Sequence, residues 1–242
     1  MKDKTNYITQ EQFQKLLDNI GHLPTTILNH DQLLLLFQTL YEGAFRISEV
    51  LKLTPKDLDH EHKQFILRET KGGWKKCKCV KTTPLSVEQA AKFVKETNKR
   101  ISFDPKIRSF KLMVAEKDCL KCLGHGKYRV KQYGWVSPEL FDKLAKYSAT
   151  LKNSDYLFPI TRQMVWWYCV KLGDLVGVKM EHEEKETTNL FPHALRHTRA
   201  VHLASKLDIN AVQKKMRHTD AKTTSIYTEI SRKNAQELEF GS

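Results

Sequence analysis

Six polar side chains in this sequence are of the types that phosphodiester transfer through a covalent phosphotyrosine requires. They are two arginines, two histidines, a lysine and a tyrosine, in the order Arg46, Lys71, His193, Arg196, His218 and Tyr227. Two guanidinium groups can bind the non-bridging oxygens of a phosphate and stabilise a charged transition state without a metal. A lysine can protonate the leaving oxygen, a histidine can act as base or hydrogen-bond partner, and a tyrosine hydroxyl can attack phosphorus.

Each of these residues also has an ordinary structural interpretation. The spacing of His193 and Arg196 puts both on one helix face, but it often arises by chance in a chain with ten histidines. Arg46 has Glu49 as a nearby partner, and Lys71 lies in a glycine turn. The combination of residue types and their order along the chain therefore carries the catalytic interpretation.

The segments around these residues resemble the tyrosine recombinases, or phage-type integrases. Tyr41–Leu51 (YEGAFRISEVL) resembles the first arginine box of that family, and His193–Thr198 (HALRHT) resembles its His-x-x-Arg box. Met216–Asp220 followed by Thr223–Tyr227 resembles its final His and Tyr box. Lys71 is the best match for the lysine that the family carries on a β-hairpin.

The resemblance implies how the phosphate is bound and attacked. Arg46 and Arg196 are expected to bind the scissile phosphate, with Glu49 orienting Arg46. Tyr227, nine residues after His218 as in the family's final box, is expected to attack and leave a 3′-phosphotyrosine.

Proton transfer is also assigned by the resemblance. Lys71 is the expected general acid, His193 assists proton transfer, and His218 hydrogen-bonds the phosphate. The turn reads Thr-Lys-Gly-Gly-Trp where the family more commonly has Gly-Lys-Gly, so Lys75 and Lys76 stay open as alternative acids.

Hydrophobic periodicity predicts a mainly α fold with a small antiparallel β-sheet (α+β). The strands 64–68 and 76–81 are expected to form a β-hairpin around the turn 70–73. Ser86 and Ser137 are predicted N-caps, and the chain from Pro192 onward is predicted to be almost entirely helical.

We interpret residues 1–242 as one tyrosine recombinase catalytic domain, because the resemblance spans nearly the whole chain. The segment 101–136 is foreign to the family core and is expected to be an insertion. Tyr7–Leu17 already resembles the first helix of the catalytic domain, so the family's N-terminal DNA-clamping domain is expected to be absent, naturally or by truncation. Met216-Arg217 stands where the family usually has Leu-Gly, which adds a charge beside the site.

The charge of the chain favours a polyanionic partner. Lys and Arg number 41 against 28 Asp and Glu, a formal net charge of +13, and phosphate contacts release condensed counterions. No apolar run approaches the ~18 residues of a membrane span, and no secretory signal is recognised. A cytoplasmic protein is expected, in the host cytoplasm if it is viral or plasmid-borne.

The resemblance implies a site-specific recombinase or integrase that acts on duplex DNA as a homotetramer, without ATP or a catalytic metal. Residues after Tyr227 are expected to be exchanged between protomers. A type IB topoisomerase would use the same chemistry as a monomer, and a regulator of the same fold would bind DNA without cleaving it. An RNA-binding protein is the least favoured alternative. The target sequence, the direction of the reaction and whether Tyr227 attacks in its own protomer's site stay open.

Four of the five cysteines are spaced as zinc ligands are. Cys77 and Cys79 are expected on one face of a strand, and Cys119-x-x-Cys122 resembles a zinc knuckle. Four thiolates would complete a tetrahedral structural zinc site, with His125 as a substitute ligand. The alternative is four reduced thiols without a metal.

Overall fold

The computed structural model of this chain describes residues 7–68, 74–97, 102–104, 109–114, 119–120, 123, 125, 127–180, 188–217 and 224–230. Three residues of the predicted sites, Lys71, His218 and Cys122, lie outside these described residues. The segment after Tyr227 that is expected to be exchanged between protomers also lies outside them from residue 231 onward.

The fold is mainly α with small antiparallel sheets, as predicted. The helices are α1 (Gln10–Asp18), α2 (His30–Glu42), α3 (Ile47–Val50), α4 (Val87–Thr97), α5 (Pro138–Ser148), α6 (Arg162–Val176), α7 (Pro192–Ala204) and α8 (Ile209–Met216). Residues 224–230 are also helical. Two 3₁₀ turns cover Ile20–His22 and Pro55–Asp57.

The helices begin and end where the sequence supplies caps. Thr9 and Asn29 each form a capping box with a glutamine at the third helical position of α1 and α2. Ser137 accepts a hydrogen bond from the backbone of Leu140 at the start of α5. Gly177 ends α6 at a φ of 70°, in the left-handed region that glycine adopts without steric cost.

Ten short strands form four antiparallel sheets within the described residues, where the sequence predicted a single sheet. The strands are β1 (Leu58–Asp59), β2 (Gln64–Leu67), β3 (Trp74–Lys76), β4 (Lys81–Leu85), β5 (Ser102–Asp104), β6 (Ser109–Val114), β7 (Lys127–Arg129), β8 (Gln132–Trp135), β9 (Lys179–Met180) and β10 (Thr188–Asn189). The sheets have the orders β1-β2-β8, β4-β6-β5, β3-β7 and β10-β9.

The predicted β-hairpin between strands 64–68 and 76–81 is wrong. Strand β2 pairs with β1 and with the distant β8, and β3 pairs with β7. Phe65 and Leu67 are the buried face of β2, and Gly134 on β8 lies opposite Phe65, so burial of this face decides the pairing. Residues 77–80 form a turn in which the Val80 N–H donates to the Cys77 carbonyl at 3.2 Å.

The chain divides into two compact units. One contains Met1–Thr70 and Gln132–Ser242, and the other contains Lys71–Lys131. The second unit overlaps the segment 101–136 that the sequence predicts as an insertion, and that domain assignment stays a prediction.

Phe45 is a fully buried ring in the core of the first unit. It contacts Phe65 edge to face, with ring centroids 5.5 Å apart. Gly43 and Gly134 lie against the two edges of the ring. A Cβ added to Gly43 would lie 2.0 Å from a ring carbon, and one added to Gly134 would lie 2.1 Å from another. These two glycines therefore make the space that the ring occupies.

No helix in the described part of the chain is both long and apolar enough to cross a membrane.

Gly134→Ala is expected to destabilise the fold by about 1–3 kcal/mol, because the new methyl group would overlap the Phe45 ring. Urea unfolding of the variant and of wild type measures this loss. Gly21→Ala is the control, since nothing lies within 4 Å of a Cβ there, and its effect should stay within about 0.5 kcal/mol. Equal stabilities of the two variants would contradict the close packing of Phe45.

Candidate functional site

Arg46 is held at the start of α3 by its interactions with Glu49. The Arg46 backbone N–H donates to Glu49 Oε2 at 2.9 Å, and Nη1 donates to Oε1 at 2.8 Å. A glutamate at the third helical position satisfies the N-cap backbone in this way. The Arg46 side chain is 24% exposed while that of Glu49 is 1% exposed, so Arg46 reaches the surface from a buried anchor.

Arg196 lies on α7 and is 2% exposed. Its Nη1 donates to the Ala44 carbonyl, and its Nη2 donates to the Met216 carbonyl at the end of α8. Burial, together with the charges of Arg217 and Arg46, lowers the pKa of Arg196 to about 9. The group therefore still carries its charge at neutral pH.

A third arginine, Arg217, is buried beside these two. It caps α8 in the left-handed region at φ 53° and ψ 41°, which costs a residue other than glycine about 1 kcal/mol. Its guanidinium donates to the Ala44 carbonyl at 3.2 Å and to Glu49 Oε2 at 2.9 Å. The guanidinium also lies 4.8 Å from the centre of the Phe45 ring.

Glu49 joins Arg46 to Arg217, with one carboxylate oxygen accepting from the Arg46 side chain and the other from Arg217. Burial alone would raise the pKa of Glu49, but the charge of Arg217 and the Arg46 hydrogen bonds outweigh it and hold the pKa below its usual value. One carboxylate thus faces three guanidinium groups, and the cluster keeps an excess of positive charge.

Tyr227 lies in the helical segment 224–230 of the same chain and is buried. Its ring packs in a small apolar cluster that includes Ala44 and Met216. Burial raises the pKa of Tyr227, while the charges of Arg196 and Arg46 act in the opposite direction. The hydroxyl therefore sits within the electrostatic field of the two arginines predicted to bind phosphate.

Two histidines on one face of α7 contact each other, and one of them, His197, contacts Tyr227. His197 Nδ1 is 2.6 Å from the Tyr227 hydroxyl oxygen. The ring of His193 contacts that of His197 edge to face, with centroids 4.4 Å apart. Burial, His193 and Arg196 lower the pKa of His197 to about 4, so the ring is neutral at pH 7.

The structure brings together four of the six predicted catalytic residues, Arg46, His193, Arg196 and Tyr227, through the contacts and charge interactions above. The other two, Lys71 and His218, lie outside the described residues. Two fixed positive groups beside a tyrosine hydroxyl can bind a phosphodiester and stabilise the charge that develops during attack.

Sequence reasoning missed His197 as a member of the cluster and recorded Arg217 only as an added charge. The spacing of His193, Arg196 and His197 (i, i+3 and i+4) contained the signal for His197, because these positions share a helix face. Arg217 had no such signal, since its place depends on the left-handed turn after α8 and on the distant Glu49.

Three of the four predicted zinc ligands lie together within the second unit. The Sγ atoms of Cys77, Cys79 and Cys119 are all within 4.8 Å of one another, and Cys77 Sγ is 3.6 Å from Cys119 Sγ. The strand predicted for Cys77 and Cys79 is wrong, because both lie in the turn after β3. His125 is exposed and is not part of this group of described residues.

Known proteins resemble this chain in sequence and in fold. The phage integrase family model matches residues 6–234. The tyrosine recombinase XerA of Pyrococcus horikoshii is 31% identical over 113 residues, covering 42% of this chain and 36% of that protein. The tyrosine recombinase XerA of Thermococcus onnurineus is 25% identical over 225 residues, covering 93% of this chain and 58% of that protein.

Solved structures share the fold at low identity. A crystal structure of XerA recombinase matches with a TM-score of 0.58 and 16% identity, covering 99% of this chain and 65% of that one. XerH site-specific recombinase, in a post-cleavage complex with palindromic difH substrate, matches with a TM-score of 0.55 and 16% identity. The match covers 96% of this chain and 52% of that one. The chain spans between 36% and 58% of the length of the two XerA relatives.

Arg217→Gly is expected to destabilise the chain by about 2–4 kcal/mol. Removing one partner of a buried ion pair costs about 3–5 kcal/mol, and glycine recovers about 1 kcal/mol at the positive φ. Because Arg217 holds the pKa of Glu49 down, the stabilisation from this carboxylate is present at neutral pH and is lost on acidification. In the variant the acid-dependent loss should be smaller, because the folded-state pKa of Glu49 rises towards its unfolded value.

A double-mutant cycle with Glu49→Gln checks the assignment by urea unfolding. Coupling between the two substitutions of more than about 1 kcal/mol is expected. Strictly additive losses would show that Arg217 does not depend on Glu49.

Proposed function

This chain belongs to the phage integrase family, and from that premise we propose that it is a site-specific DNA recombinase. It cuts and rejoins duplex DNA through a 3′-phosphotyrosine intermediate, as a DNA strand transferase. The observation that carries the proposal is the burial of the Tyr227 hydroxyl beside Arg46 and Arg196 within one chain.

The two arginines bind the scissile phosphate. Arg46 reaches the surface from its anchor on Glu49, and Arg196 brings a buried charge whose position is fixed by two backbone carbonyls. Groups fixed in this way need no reorganisation as charge develops on the phosphate oxygens. No metal is required for this stabilisation.

In the cleavage step the Tyr227 oxygen forms a bond to phosphorus, and the bond from phosphorus to the 5′-oxygen breaks. Lys71 donates the proton that the 5′-oxygen takes, with Lys75 and Lys76 as the alternatives, and His193 assists proton transfer. His218 hydrogen-bonds the phosphate. Rejoining reverses the step, because a 5′-hydroxyl attacks the phosphotyrosine and releases the tyrosine.

Duplex DNA is the proposed partner. The XerH structure that shares this fold is a complex with its difH substrate, and the net charge of +13 suits a polyanion. We further propose a homotetramer on two DNA sites, with the segment after Tyr227 exchanged between protomers, and action in the cytoplasm. The curated relatives described above are named recombinases, which supports recombination over relaxation by a type IB topoisomerase or regulation without cleavage.

The domain proposal follows the same family match. Residues 1–242 form a catalytic domain with an insertion at 101–136, and the compact unit Lys71–Lys131 supports a segment with its own local structure.

Tyr227→Phe is expected to abolish a covalent DNA adduct that wild type forms, because phenylalanine has no nucleophile. The substrate is a pool of nicked duplexes with randomised arms. Cleavage next to the nick releases a short strand, so no 5′-hydroxyl remains to reverse the reaction and the covalent intermediate accumulates. Adducts are read as bands that resist SDS and disappear with protease. Tyr41→Phe is the control, since Tyr41 is another buried tyrosine whose hydroxyl forms a hydrogen bond with a histidine. Wild type that binds the pool without forming an adduct contradicts the proposed activity.

A structural zinc ion bound by Cys77, Cys79, Cys119 and Cys122 is the second part of the proposal. The three described sulfurs fit such an ion, because a tetrahedral zinc with Zn–S bonds of about 2.3 Å separates its sulfurs by about 3.8 Å, close to the 3.6 Å between Cys77 and Cys119. A bound zinc would tie the turn after β3 to the turn in which the Leu123 N–H donates to the Cys119 carbonyl. The ion has no part in the cleavage step.

Purified wild type is expected to contain about one zinc ion per chain, and Cys77→Ser and Cys119→Ser should lose most of it, because three thiolates bind more weakly than four. Metal analysis by plasma mass spectrometry measures the content. Cys169→Ala is the control, since that thiol is buried in the core of the other unit. Wild type that stays free of zinc after dialysis against zinc-buffered solution contradicts the site.

A further inference from the structure

His197 contacts the one atom of Tyr227 that must react. Its Nδ1 lies 2.6 Å from the hydroxyl oxygen, a normal distance for a hydroxyl that donates to a nitrogen acceptor. The resemblance gave this histidine no role. It lies on α7, and the neighbouring Arg196 on that helix donates to the Ala44 and Met216 carbonyls. These hydrogen bonds fix the position of the helix that carries the His197 ring.

The nucleophile needs a proton acceptor. Burial raises the pKa of Tyr227, so at neutral pH the residue is a phenol, and a phenol attacks phosphorus only while it loses its proton. His197 is neutral at this pH, which leaves a ring nitrogen able to accept.

We propose that His197 is a further catalytic residue, the general base that takes the Tyr227 proton during attack. As the bond from the tyrosine oxygen to phosphorus forms, the O–H bond breaks and its proton moves to His197 Nδ1. The imidazolium returns this proton to the tyrosine oxygen when the strands rejoin. The inference rests on the proposed function, since it assigns one proton of that reaction.

The groups that face His197 are consistent with this step. Arg196 and His193 both act on the ring and disfavour its protonation in the free chain. A bound phosphate brings negative charge to Arg196 and removes part of that penalty. His193 is exposed, so its ring, in contact with that of His197, can exchange protons with water.

The same helix supplies a matched control. His202 Nδ1 lies 2.7 Å from the Tyr41 hydroxyl oxygen, so α7 carries two partly buried tyrosine–histidine hydrogen bonds of almost equal length. Burial lowers the pKa of His202 as well. Tyr41 is not one of the proposed catalytic residues. Removing its partner His202 therefore measures what a tyrosine–histidine hydrogen bond of this kind contributes to stability, without an effect on catalysis.

The test compares His197→Ala with His202→Ala in the adduct assay, using duplexes recovered from the randomised pool. His197→Ala should slow adduct formation by about 100-fold or more, and added imidazole should restore much of the rate as its neutral fraction rises with pH. His202→Ala should cleave within a few-fold of wild type and show no response to imidazole.

Two results overturn the inference while the proposed function stands. The first is an adduct rate for His197→Ala equal to that of His202→Ala, and the second is a loss of rate that imidazole does not restore at any pH. Wild type that binds DNA without forming an adduct overturns the proposed function, and this inference falls with it.

Discussion

A guanidinium group removed from water stays charged only if its N–H groups find acceptors, and this requirement organises the centre of the molecule. Arg196 meets it with two backbone carbonyls, one from Ala44 and one from Met216. These carbonyls follow α2 and end α8, so one side chain on α7 fixes the positions of two other elements. The group proposed to hold phosphate is therefore also the group that positions its neighbours.

The backbone is strained at two positions in this cluster, Ala44 and Arg217. Ala44 has a φ of 46° and Arg217 a φ of 53°, in a region that residues with a Cβ adopt at a cost of about 1–2 kcal/mol. Such conformations persist only where the surroundings determine them, and they concentrate at functional sites. Here the determining contacts are the Ala44 carbonyl, which accepts from two arginines, and the ion pair between Arg217 and Glu49.

The sequence predicts those parts of the site that depend on local patterns. Arg46, Arg196 and Tyr227 lie in short segments whose order along the chain is itself informative, and their elements follow from caps and periodicity. The hairpin prediction failed because one partner of β2, strand β8, lies 65 or more residues away along the chain, and alternation of apolar residues cannot choose between distant partners. Arg217 was not foreseen as an anchor, because its conformation is imposed by tertiary contacts.

The apolar contacts of Tyr227 are separate from those of the main core. Among the residues that the structure describes, the tyrosine packs with Ala44, Met216 and a few α7 and α8 side chains in the smaller of two buried clusters, while α2, α5 and α6 pack in the larger. Cooperative units with few contacts open at a lower free energy than the whole domain. The cluster that contains Tyr227 has fewer buried members than the main core among the described residues, so it is expected to open at a lower free energy than that core.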